Sequence, residues 1–238
     1  MKIKISNMTG KLKGIRAINC NTLSNPFCQK QNKSKVKNNI CTICYSVAML
    51  ETHRQNCVAP WENNSSILST MDLEKSNIVP LFKNDRIFRL DGHGELINLL
   101  HLHNYCTIAK HNENTNIALW TKRNDIVNKY FNDYDKPKNL ILIFSNSIIN
   151  KPIFDIPKHF DKVFNNVFEN DYKEKQNCTG QDCIDCQACY HFNDTNIIIE
   201  ATKKYSKKKT PIMPGNFCLN GKFYCICLTQ RTSKSNRF

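Results

Sequence analysis

The stretch IFRLDGHGELINLLHLHNYCTIAKHNENTNIALWTKR, residues 87–123, decides the fold class. Ile87 to Leu90 is a short apolar run of β-formers, closed by Asp91-Gly92-His93-Gly94-Glu95. Apolar residues then recur at 96, 99, 100 and 108, near helical spacing. Ile117 to Trp120 makes a second strand, and Thr121-Lys122-Arg123 leads into a helix expected to reach Asn132. Strands alternating with helices in this way argue for βα units and a parallel sheet, open or barrel-like. Working outward, Leu140 to Phe144 (LILIF) is a continuous apolar run, the mark of a strand buried on both faces. Val163 to Phe168 and Asn196 to Glu200 extend the series, and a strand near Gly14 to Ile18 precedes it. Cys44 to Thr52 reads as a helix start, whereas Gln29 to Asn39 and residues 62–77 read as polar loop. The expected architecture is α/β: a partial (β/α) barrel of mostly parallel strands, a Cys-rich C-terminal extension and a β-hairpin tail. The corresponding divisions are 1–175, the Cys-rich segment 176–200, and a basic tail 201–238. In that tail a Lys-rich linker, 203–209, precedes Asn220-Gly221 set between apolar runs, a hairpin signal.

At 40% hydrophobic, the 238 residues supply a core without help from a metal. No apolar run is long enough to span a bilayer, and the first residues show no apolar signal region. The expectation is a cytoplasmic protein with reduced thiols, in which thirteen cysteines are ligands and a few buried thiols. The net charge of +14 is concentrated at the ends. Residues 1–40 and 201–238 each carry nine Lys or Arg and no acid, leaving 41–200 at −4. Such ends suit nucleic-acid contact or simple solvation. The 32 asparagines, with abundant Lys and Ile, read as the composition of an AT-rich genome.

Cys178, Cys183, Cys186 and Cys189 form a C-x4-C-x2-C-x2-C run, and Cys28 with Cys41-Thr42-Ile43-Cys44 forms an earlier set. Thiolates at two-residue spacing turn onto one centre, either tetrahedral zinc or an iron–sulfur cluster. Four ligands close a site and suit a structural or auxiliary role, while three leave an iron open. Cys20 as a fourth ligand of the early set, and Cys218, Cys225 and Cys227 as a third centre, both stay open at this stage.

Three segments taken together resemble the phage "gene product 88" domain family: Cys41 to Tyr45, Phe88 to Arg123, and Cys183 to Tyr190. The resemblance spans roughly residues 15–200 and implies a phage-encoded protein in the host cytoplasm. More widely, the cysteine triplet followed by a strand and a glycine-rich turn is similar to radical S-adenosylmethionine enzymes. That similarity implies a [4Fe-4S] cluster on Cys28, Cys41 and Cys44 and a turn at Gly92, Gly94 and Glu95 that meets S-adenosylmethionine. It also implies hydrogen abstraction from a small-molecule or macromolecular substrate, with the late quartet holding an auxiliary cluster. Here twelve residues separate the first two cysteines, where the wider family commonly has three. The alternative is a zinc-stabilised nucleic-acid-binding protein without enzymatic activity. A third reading, a rolling-circle nuclease, would use His101 and His103 with Tyr130 and Tyr134. It fails if the histidines lie on a helix, where positions two apart diverge by about 200°.

Overall fold

Seven strands form one sheet in the order in which the chain makes them. They are β1 (Ile5–Asn7), β2 (Arg16–Ile18), β3 (Ile87–Leu90), β4 (Asn116–Thr121), β5 (Leu140–Ser145), β6 (Lys162–Phe168) and β7 (Ile197–Thr202). β1 runs antiparallel to β2, and every later neighbour pairs in parallel. The computed structural model describes residues 2–202 and the strand residues 218–219 and 222–223.

Between β2 and β3 lie α1 (Pro26–Asn32), α2 (Tyr45–Glu51) and α3 (Val58–Thr70). α4 (Leu99–Lys110) joins β3 to β4, and α5 (Asn124–Phe131) joins β4 to β5. The cysteine run, expected as an extension beyond the sheet, lies inside the connection from β6 to β7, with one short turn, α6 (Cys183–Cys186). β7 then returns the chain to the sheet, so the run is held at both ends.

Alternation along the strands builds two cores. Ile18, Phe88, Leu90, Leu119 and Leu142 face α3, α4 and α5. Ala17, Ile87, Ala118, Trp120, Ile141 and Ile143 face the other way and are covered by Met8, Leu12 and Tyr190, with Cys183 and Cys189 packed against them. Both faces are therefore dry, which accounts for the unbroken LILIF run.

Two elements depart from expectation. Residues 62–77 contain most of α3, whose buried face carries Asn64 and Ser65 beside Trp61, Ile67 and Leu68. Asn64 is satisfied there: it accepts from the Lys4 N–H at 2.7 Å and donates to the carbonyls of Lys4 and Asn19. Gln29 to Asn32 is helical too, because Asn25 caps α1 by accepting from the Phe27 and Cys28 N–H groups, with Pro26 in the first turn.

The chain divides after Lys203 into two units. In the second, Cys218–Leu219 pairs antiparallel with Lys222–Phe223, as the hairpin reading expects. The linker 203–209, Asn220-Gly221, Cys225 and Cys227 lie outside the described residues. Among the described residues no helix is long and apolar enough to cross a membrane.

Candidate metal centres

Cys28 lies in the first turn of α1, Cys41 in a 3-10 turn (Ile40–Ile43), and Cys44 at the N-cap of α2. Just before Cys41 the chain is tied to the far side of the sheet. The Ile40 N–H donates to the Ser147 carbonyl at 2.8 Å, and the Ile149 N–H to that of Asn38 at 2.9 Å. The segment from β2 thus crosses to the carboxyl end of β5, passing the ends of β3 and β4. All three thiols are half-buried. Burial raises the Cys28 thiol, with further upward contributions from the charges of Glu95, Cys44 and Cys41. Burial also raises Cys41; the Lys122 ammonium opposes this, while Cys44 and Glu95 add to it. The three thiols feel one another's charge, but their sulfur atoms do not all lie within 4.8 Å of one another.

Glu95 faces this group. Glu95 lies ahead of α4, which begins at Leu99 and is capped by Asn98. The buried Glu95 carboxylate instead accepts from the Leu96 N–H at 2.9 Å, the Lys122 N–H at 2.8 Å and the Thr121 hydroxyl. Burial raises its pKa, and Lys122 and these donors pull it back down. Three donors fix the carboxylate in place.

The glycines of the turn admit close approach to the neighbouring strand end. A Cβ on Gly92 would lie 2.6 Å from Asn19 Oδ1, and one on Gly94, at φ +111°, 2.7 Å from Cys20 Cβ. Between them His93 stacks on Trp61 with ring centres 4.6 Å apart. Burial pushes His93 down to about 3, so its imidazole is neutral.

Cys20 is not with the trio. It is fully buried, its Sγ 3.7 Å from His101 Nε2 and 3.6 Å from the Tyr105 hydroxyl. The groups that act on it are Asp91, Tyr105 and Ser65, with none of Cys28, Cys41 and Cys44 among them. The Ile97 N–H donates to His101 Nδ1 at 3.2 Å, so Nε2 carries the proton and points it toward sulfur. Tyr105 donates to Asp91 at 2.8 Å, and burial followed by the Glu95 charge raises Asp91 to about 8. His103, two residues further along α4, bonds the Tyr130 hydroxyl at 3.0 Å and faces Glu74 at 3.2 Å. The two histidines look into different surroundings, as a helix dictates, and form no common site.

The late quartet is also gathered. Cys189 is raised to about 12, first by burial and then by the charge of Cys178, with Cys183 adding to it. Cys183 in turn feels Cys178 and Cys186. Cations surround the set: Lys11 Nζ lies 4.0 Å from Cys178 Sγ, Arg89 and Lys11 act on Cys183, and Arg89 and Lys162 act on Cys189. Arg89 projects from the centre of β3 onto the second face. It is flanked in register by Ala17 and Ala118, whose small side chains leave room for a guanidinium 3.9 Å above the Trp120 ring. Cys183 and Cys189 pack on the second face of the sheet, and Cys178 pairs in parallel with Glu200 on β7, so the quartet lies against that face. The trio lies at the carboxyl ends of the strands.

Two groups of three ligand atoms among the described residues lie within 4.8 Å of one another, Cys20–Asp91–His101 and Asp72–Glu74–His103. Neither cysteine set is among them. Around one zinc ion the thiolates would stand about 3.8 Å apart, given tetrahedral bonds of about 2.3 Å. No family model, curated protein or solved structure matches the chain.

Proposed function

We propose that the chain is an iron–sulfur protein resembling radical S-adenosylmethionine enzymes, in keeping with its resemblance to the phage family. Cys28, Cys41 and Cys44 would hold a three-thiolate [4Fe-4S] cluster, and Cys178, Cys183, Cys186 and Cys189 a closed auxiliary one. The observation that carries this reading is the meeting of three thiols with the Glu95 carboxylate above the carboxyl ends of β2 to β5, with Cys20 engaged elsewhere. Loops at the carboxyl ends of parallel strands are where such folds place their chemistry.

The sheet is read as a partial barrel. Five successive parallel pairings in chain order, from β2 to β7, support that reading.

Bound there, a cluster with S-adenosylmethionine supplies one-electron chemistry and hydrogen abstraction. The chain's own part is positioning. Glu95, immobilised by three donors, presents a carboxylate acceptor suited to an ammonium group. The Lys122 ammonium is held at 2.7 Å by Ser145 Oγ, beside Cys41.

Anaerobic purification followed by iron and sulfide analysis and a visible spectrum tests the centres. A brown protein bleached by dithionite, releasing 5′-deoxyadenosine from S-adenosylmethionine, is expected. A colourless, zinc-containing chain that releases none refutes the proposal in favour of a zinc-stapled nucleic-acid-binding protein.

A further inference from the structure

The twelve residues between Cys28 and Cys41 carry Lys30, Lys33, Lys35 and Lys37 and no acid. All four side chains are exposed. Of the five other basic residues among the first forty, Lys11 pairs with Glu200 and Arg16 with Asp85 at 2.8 Å, while Lys2, Lys4 and Lys13 are in no ion pair among the described residues and are spread along the chain, not set in one short loop. None of the four loop lysines has an ion-pair partner among the described residues.

The loop is held firmly at its base. The Asn32 side chain donates to the Cys41 carbonyl at 2.8 Å, and Asn39 donates to Gln31 at 2.8 Å and accepts from the Cys41 N–H at 2.9 Å. With Asn38 and Ile40 bonded beyond β5, the loop that carries the lysines runs between Cys28 and Cys41 on the carboxyl-end side of the sheet. Nearby acids offer little to offset them. Glu95 is buried, and Asp125 is committed to Arg123 at 2.7 Å.

We infer that this loop is a docking strip for the phosphate backbone of a single-stranded nucleic acid, whose nucleotide is the substrate of the site beneath. The inference rests on the proposed function for the word substrate; the binding itself does not depend on it. Four unpaired cations fixed in one place favour a polyanion. A single strand is required because the cysteine trio, flanking the loop, is half-buried, and a base reaches such a site only when it is out of a duplex stack.

The test is fluorescence anisotropy with the full chain and labelled single-stranded 15-mers of mixed sequence, one RNA and one DNA. Two charge-matched quadruple variants are compared, Lys30/Lys33/Lys35/Lys37→Ala and Lys204/Lys207/Lys208/Lys209→Ala. The loop variant is expected to bind at least about tenfold more weakly at 0.1 M salt, with a log–log salt slope shallower by about 0.7 for each lysine that meets a phosphate. The tail variant is expected to change affinity by less than about threefold. Equal losses in the two variants, a larger loss from the tail, tighter binding of a duplex of the same sequence, or no binding of either strand would each overturn the inference. Because binding is read without any turnover, a chain that binds through the loop but holds no iron would sink the proposed function alone.

Discussion

Replacing Gly94 by alanine tests whether the turn that aims Glu95 is seated as described. Two costs add. The backbone at φ +111° lies where only glycine is comfortable, a strain of about 1–3 kcal/mol for any other residue. The new Cβ would meet Cys20 at 2.7 Å and its carbonyl oxygen at 2.9 Å. Backbone cannot step aside as a flexible side chain can, so overpacking adds about 1–3 kcal/mol. The sum is roughly 2–6 kcal/mol. Gly92→Ala is the internal control, since its backbone is ordinary and its nearest clash is with the Asn19 side chain. Moving Asn19 loosens its bond from the His93 N–H, now 2.9 Å, at about 1 kcal/mol. Urea unfolding followed by tryptophan fluorescence reads both variants through Trp61 and Trp120. With m near 2–3 kcal/mol/M, Gly94→Ala is expected to lower the midpoint by about 1 M or more, and Gly92→Ala by less than about half of that. A Gly94→Ala midpoint within about 0.2 M of wild type, or above that of Gly92→Ala, would show that the turn does not rest on Cys20.

Three further outcomes are expected. Serine at Cys28, Cys41 or Cys44 removes about half of the bound iron, serine at Cys183 or Cys186 removes the other half, and Cys20→Ser leaves iron content unchanged; all of the iron lost from any one of the five, or none lost from any of them, contradicts two independent centres. Asp91, near 8 in the folded chain against about 3.9 unfolded, retains a proton on folding that the unfolded chain releases. Stability therefore falls as pH rises from about 4 to about 8 and levels off above that, and Asp91→Asn flattens this part of the curve; parallel curves for the two proteins would rule out a protonated Asp91. Asn64→Ala strands the Lys4 N–H and the Lys4 and Asn19 carbonyls in the interior and is expected to cost about 2–4 kcal/mol in a denaturant titration, whereas a neutral result would place α3 elsewhere.

The strands from β3 to β7 were legible because period and burial agree: dry faces on both sides demand continuous apolar runs, and LILIF provides one. α3 was not legible, because the residues it buries include Asn64 and Ser65, whose polarity is answered by partners far away in sequence. The same holds for asparagine generally. An abundance that reads as compositional drift includes Asn19, Asn25, Asn39 and Asn146, all buried near the carboxyl ends of the strands. Asn25 caps α1 and also donates to the Glu95 carbonyl at 2.8 Å, and Asn146 reaches Asn165 and the Lys151 carbonyl. These ties hold long loops in place, and nothing local in the sequence announces them. The cysteine spacings disclosed two groups but not their positions. Where each lies against the sheet is set by what the β2–β3 and β6–β7 connections pack on, both long-range facts.

On the proposed function, charge would suit the two groups to different work. Four thiolates around a [4Fe-4S]²⁺ core would leave two negative charges, and burying them is costly unless cations lie close by. Arg89 and Lys162, with Lys11 beside its partner Glu200, are the cations at the quartet, each lowering a thiol that burial raises. Such a centre would have little electrostatic reason to recruit a charged ligand, and four sulfurs would leave it no open iron. The trio is the reverse. Three thiolates leave one negative charge, Glu95 adds another, and Lys122 offsets only one of the two. A net negative charge beside an open coordination position would favour a cationic ligand. A molecule bearing both an ammonium and a sulfonium would meet that demand, whereas a neutral or anionic metabolite at the same place would leave the charge of the centre unbalanced.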